Sequence, residues 1–163
     1  MSDRLSLGIA GVSVLIAVAA LVVAFLALTE EPPALPPPTE SVPSLYTKAL
    51  VDEAIQRYER IGREESVEYY SDPANVDGEW YVFIINEEGR TIAHHNPMFV
   101  NRDPEERVDS TGYYYGEPLL AATEDGVWVD YTLLNPLTGD ESQKHTWARQ
   151  HDGLIFGSGW YER

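Results

Sequence analysis

The 163-residue chain contains no cysteine. A disulfide framework, a thiolate metal site and thiol redox chemistry are therefore excluded. Positive charge is scarce as well. Eleven lysines and arginines face 27 aspartates and glutamates, for a formal net charge of -16, so binding to a phosphate backbone is disfavoured. No glycine-rich phosphate cradle and no basic patch occur, which removes the usual nucleotide and nucleic-acid signatures. Only Lys48 and Lys144 are lysines. In a strand the adjacent His94 and His95 would point to opposite faces, no His-x-x-x-His spacing is present, and no metal site is expected. Carboxylates gather in doublets such as Glu64-Glu65, Glu87-Glu88 and Glu105-Glu106. Those positions suit solvated turns and helix starts, not a buried acid/base pair, so the chain does not read as an enzyme and implies no cofactor.

Charge is missing altogether from residues 5–28, where only Ser6, Gly8, Gly11 and Ser13 interrupt an apolar run. A helix of that length reaches ~36 Å, enough to cross a ~30 Å hydrocarbon core. The run exceeds the ~7–15 apolar residues of a secretory leader. Residues 1–29 are accordingly expected to be a transmembrane anchor, with a cleaved signal peptide as the rival reading. Arg4 precedes the run and Glu30-Glu31 follow it. The positive-inside rule then puts the N-terminus in the cytoplasm and residues 30–163 outside a cell membrane crossed once. Six of the 11 prolines fall between positions 32 and 43, so residues 30–43 read as a semi-rigid polyproline stalk. Residues 44–163 remain as one folded domain.

Within that domain, Tyr46, Leu50, Ala54, Tyr58 and Ile61 recur at helical spacing and predict a long helix over 45–58, punctuated by Gly62. A short helix over 64–70 stops at Asp72-Pro73, because proline disfavours helix in the residue before it. The period then changes. Trp80 to Ile85 is aromatic and β-branched; it turns at residues 86–89 and returns over 90–94. Residues 96–118 have no clean period, and 118–123 suggest a short helix. Strands follow over 127–134, 143–151 and 154–161. Asp152-Gly153 joins the last two as a two-residue turn in which both positions accept positive φ. The prediction is an α+β fold, a five-stranded antiparallel sheet with a long and a short helix, preceded by one transmembrane helix. Gly157-Ser158-Gly159 lacks the spacing of a nucleophile elbow and marks a bulge or a close backbone approach.

In this order, the segments Trp80 to His94, Gly126 to Tyr131, Asn135 to Gly139, Lys144 to Trp147 and Gly157 to Tyr161 resemble the single Cache domain, an extracytoplasmic sensor module of chemoreceptors and sensor kinases. The likeness covers residues 46–161. It implies a PAS-like sheet with a small-molecule pocket beneath the segment joining the second and third strands, here residues 96–123. Two departures are visible. The chain reads His94-His95-Asn96-Pro97 where family members often read His-Pro-Asn. Cache receptors also continue into a second transmembrane helix and a signalling domain, so these 163 residues alone would need a membrane partner or a homodimer to signal.

Strand parity sorts the polar groups. Lys144 and Thr146 share one face of their strand, while Trp128 and Asp130 share a face of theirs. The resemblance makes Lys144 the first choice as a ligand-facing group. Tyr81, His94, Tyr113, Tyr115, Trp128, Asp130 and Thr146 complete the expected binding set, since a pocket for a small carboxylate or amino acid needs a fixed cation, donors and aromatic walls. The competing reading is a stalked structural or interaction domain whose pocket has degenerated.

Overall fold

The computed structural model describes residues 37–162. The expected anchor and residues 30–36 of the expected stalk lie outside them. Among the described residues no helix is long and apolar enough to cross a membrane.

Helix α1 spans Pro43–Ile61. Pro43, expected to end the stalk, instead opens the helix, where its missing N–H costs nothing. The buried stripe is Thr47, Val51, Ala54 and Ile55, rotated by one position from the predicted set. Only Ala54 belongs to both; Tyr46 sits at the border, edge-on to Trp80 at 4.9 Å between ring centres. Gly62 closes the helix with φ +86°, its N–H donating to the Tyr58 carbonyl at 2.8 Å. Helix α2, Arg63–Ser71, follows directly.

The strands are β1 Val82–Ile85, β2 Thr91–Ala93, β3 Val127–Leu134, β4 Glu141–His151 and β5 Leu154–Tyr161. They form one antiparallel sheet in the order β2-β1-β5-β4-β3. The β4–β5 turn takes positive φ at both Asp152 (51°) and Gly153 (77°), as the sequence predicts. Between β2 and β3 lies the long connecting segment, which carries helix α3, Gly116–Leu120. That helix starts two residues before its predicted position.

The two sheet faces bury different things. On one, Val82, Ile84, Leu154, Phe156 and Trp147 pack against Val51, Ala54 and Ile55 of α1. On the other, Phe83, Ile85, Val129, Tyr131 and Ala148 pack under Tyr115 and Leu119 of the connecting segment. Alternation along each strand produces this split, and β4 shows it directly: Lys144, Thr146 and Ala148 are buried on the segment side. The glycine pair of β5 belongs to that face too. The β4–β5 ladder runs unbroken through it, so it marks a close approach and no bulge. A Cβ at Gly157 would stand 2.2 Å from the Phe83 ring, and one at Gly159 would meet the Lys144 side chain at 3.0 Å. Without side chains on the central strand, Phe83 and Lys144 can lie across it.

Turn glycines differ in what they tolerate. Gly126 has φ +81° and a Cβ there would meet the Trp147 ring at 2.2 Å, whereas Gly139 has φ +77° and open space around it. Gly139→Ala should cost about 1 kcal/mol, the backbone strain alone. Gly126→Ala should cost about 3 kcal/mol, because overpacking adds to strain. Thermal unfolding of the two variants checks this; equal losses would contradict the packing described.

Candidate functional site

Between the sheet and the connecting segment lies a cavity with Lys144 and Tyr131 on its floor and Tyr115 and Leu119 over it. It offers about 30 Å³ to the centres of water-sized groups and opens through a mouth to solvent. Tyr115 lies flat on Tyr131, with ring centres 4.0 Å apart and 6° between planes. At the end of β2, His94 stacks on Phe99 at 4.7 Å. The connecting segment is pinned to β3 by Asp109. Its carboxylate accepts from the backbone N–H of Thr111, Tyr113 and Thr132 at 2.9 Å each, and with the Thr111 hydroxyl these bonds hold it down at about 2.

Lys144 is the centre of the polar arrangement. It is 1% exposed, its ammonium donates to the Tyr81 hydroxyl, and it lies 4.0 Å from the Tyr81 ring centre. Tyr81 in turn meets the Tyr161 hydroxyl at 3.5 Å. Burial lowers the Lys144 pKa to about 7, against the opposing pull of buried Glu79. The phenols respond in the opposite direction. Burial pushes Tyr161 up to about 12 and raises Tyr81 and Tyr131 well above their ordinary value. They remain neutral donors at any physiological pH. His94 falls to about 2, from burial first and then the Lys144 charge. Its Nδ1 accepts the Asn96 N–H at 2.9 Å, which leaves the proton on Nε2 as a donor.

Two arginines of the connecting segment reach the same cavity. Arg102 donates to the Tyr115 hydroxyl at 3.1 Å. Arg107, 3% exposed, donates through Nη2 to the Gly89 carbonyl at 2.8 Å and the Thr91 hydroxyl at 3.0 Å, while its buried Nη1 has no hydrogen-bond partner. No aspartate or glutamate lines the cavity.

Of the residues expected from sequence, Tyr81, His94, Tyr115 and Lys144 line this cavity. Thr146 shares their face and supports the floor, donating to the Tyr131 hydroxyl at 3.0 Å. Three expectations are corrected. Trp128 and Asp130 pair across the sheet with Trp147 and His145, which puts them on the opposite face from Lys144. There Trp128 packs on Trp147 and Trp160. Asp130 meets His145 Nδ1 at 2.8 Å, and Glu162 meets its Nε2 at 3.0 Å. Tyr113 is 46% exposed beside the Gly112 turn and does not line the cavity. Sequence reasoning missed Arg102, Arg107 and Tyr131. A basic residue inside a segment already marked as pocket-forming was the available signal for the first two.

The pKa of Lys144 makes stability depend on pH in a defined direction. Between about 7 and its ordinary 10.5, the unfolded lysine binds a proton that the native one lacks, so stability rises with pH. Below that window the native state carries the full cost of a buried ammonium. Wild type should therefore gain on Lys144→Met by up to about 1.4 kcal/mol per pH unit across it. Chemical denaturation of both proteins from pH 7 to 10 measures this; parallel curves would show that Lys144 titrates normally.

No curated protein sequence matches this chain. Among solved structures, a methyl-accepting chemotaxis protein from Vibrio parahaemolyticus is similar at 16% identity and a TM-score of 0.61, over 71% of this chain and 85% of that one. A periplasmic sensor domain of a chemotaxis protein matches at 22% identity and 0.52, over 71% and 88%. A Cache chemosensory domain, described for its carboxylic acid recognition, matches at 17% and 0.57, over 72% and 91%. At such identities the likeness shows the fold. The profile of the family named Single Cache domain 2 matches residues 52–161, most of the chain, and the protein belongs to that family of ligand-sensing domains.

Proposed function

We propose that the chain is a membrane-anchored, extracytoplasmic sensor whose cavity binds a small organic carboxylate. The observation that carries this reading is the cavity's charge. Residues 30–163 hold 26 acidic residues (27 less Asp3) and 10 basic ones (11 less Arg4), yet the cavity is lined by Lys144, Arg102 and Arg107 with no carboxylate. A buried ammonium is costly to keep, and the charge of Glu79 offsets that cost only in part, since burial still lowers the Lys144 pKa to about 7. A carboxylate ligand supplies the further negative charge, and the Tyr81 hydroxyl and His94 Nε2–H add hydrogen-bond donors. The same lining argues against an amino acid, because an ammonium group would find no acidic counterpart there. One solved relative is titled for carboxylic acid recognition, which supports the same class.

The uncharged run of residues 5–28 supports a single-pass anchor, and the periplasmic sensor domain among the structural relatives supports an extracytoplasmic domain. Fusion of a periplasm-dependent phosphatase to the C-terminus should give active enzyme in the membrane fraction. Active fusion released into the soluble fraction would favour a cleaved leader, and an inactive fusion would place the domain inside.

Binding should track Lys144. The carboxylate pairs with the ammonium form, so affinity falls as pH rises through about 7. The competent fraction drops roughly 25-fold between pH 6.5 and 8.5, and apparent affinity drops with it. Thermal-shift titration of propionate and other short acids, with Lys144→Met as the comparison, measures this. Stabilisation that vanishes in the variant and weakens with pH supports the reading. No shift with any acid favours a degenerate pocket in a structural domain.

A further inference from the structure

We infer that the acid this cavity selects is two-ended, one anionic group meeting Lys144 on the sheet floor and the other meeting Arg107 on the overlying segment. The inference rests on the carboxylate reading above and narrows it. Its starting point is the pairing of arginines. Among the described residues, Arg57, Arg63, Arg90 and Arg149 each have a carboxylate within 4.0 Å. Arg60, Arg102 and Arg107 have none; Arg60 is exposed to solvent on α1, so only Arg102 and Arg107 are left without a carboxylate away from water. Arg102 is occupied by the Tyr115 hydroxyl and the Glu106 carbonyl. Arg107 is held in place from one side only. Its Nη2 is fixed by Gly89 and Thr91, and its Nη1 is buried in the cavity wall without a partner.

Buried polar groups without partners are rare in folded proteins because each forfeits its hydration. A monocarboxylate on Lys144 would leave the Arg107 Nη1 donor unmet. A second carboxylate on the same molecule would meet it with a charge-assisted bond. The two cations are anchored on different elements, Lys144 on β4 and Arg107 on the connecting segment tied to β2 at Thr91, and two strands lie between β2 and β4 in the sheet, which suits a ligand with one anionic group for each. Room is the remaining constraint. About 30 Å³ for the centres of water-sized groups corresponds to an envelope of about 150 Å³ once a ~1.4 Å radius is added, or about five waters. A three- or four-carbon diacid fits that space, whereas a longer one must push its chain towards the mouth and away from one of the two cations.

Isothermal titration of the full chain with acetate, propionate, malonate, succinate and adipate tests this. Malonate or succinate should bind at least tenfold more tightly than acetate and propionate, and more tightly than adipate. Arg107→Met should weaken the diacids at least tenfold more than it weakens the monoacids. Lys144→Met should lose both classes. Monoacids binding as tightly as diacids would overturn the two-ended assignment and leave the carboxylate reading intact, as would equal weakening of both classes by Arg107→Met. Binding of none of these acids would overturn both. The ranking on the wild-type chain requires no variant, so it decides the matter even where Arg107→Met does not fold.

Discussion

A lysine whose ammonium ends inside a protein needs neighbours that can tolerate it, and much of this domain is arranged around that requirement. The methylenes of Lys144 cross the face of β5 only because Gly159 presents no side chain there. Its ammonium finds the Tyr81 hydroxyl, and Tyr81 is steadied by Tyr161 from the strand end. These partners are neutral dipoles, and buried Glu79 only partly offsets the desolvation. The balance lies near neutrality, where small changes in local charge decide whether the group is an amine or an ammonium. A binding site gains from such poise: an anion entering the cavity changes the charge state of the residue that holds it.

The other face of the sheet supplies the rigidity this needs. Helix α1 buries Val51, Ala54 and Ile55 against Val82, Ile84 and Phe156, so the floor strands are backed by a packed helix. Lys48, the remaining lysine, lies on that side at 4.1 Å from the Trp147 ring centre, and Arg149 pairs with Asp52 of α1. Cations on this face are matched to rings or carboxylates. Those lining the cavity meet rings too, Lys144 over Tyr81 and Arg102 over Phe99, but their hydrogen bonds go to hydroxyls and carbonyls and no carboxylate lines the cavity beside them. That contrast within one small, strongly acidic domain is the physical basis for reading the cavity as an anion site.

Sequence patterning carried the strands well because their signals are local. Asp152-Gly153 defines the β4–β5 hairpin through backbone conformation alone, and the β-branched run before Asn86 can be little other than a buried strand. Parity within β4 likewise put Lys144 and Thr146 on one face. Relating β4 to β3 was harder, since the face on which Asp130 falls depends on the register across residues 135–140. A shift by one residue would have set Asp130 beside Lys144 in place of His145. Both faces of β3 are partly apolar, with Trp128 on one and Val129 and Tyr131 on the other, so hydrophobicity could not settle the choice.

The connecting segment was least legible. It has no period, and its shape comes from tertiary bonds such as Asp109 to the Thr132 N–H and Arg107 to the Gly89 carbonyl. That is why Tyr115 turns inward while Tyr113 stays exposed, and why two arginines enter a cavity that composition alone would not assign to them. The claim on which the account turns is that Lys144 titrates near neutrality and is charged by its ligand. Nitrogen-15 NMR of the Lys144 Nζ, titrated in the free protein and with a saturating short carboxylate, measures it directly. The account expects a midpoint at about 7 in the free protein and a rise of at least about two units on binding, whereas a midpoint near the ordinary 10.5 in both states would contradict it.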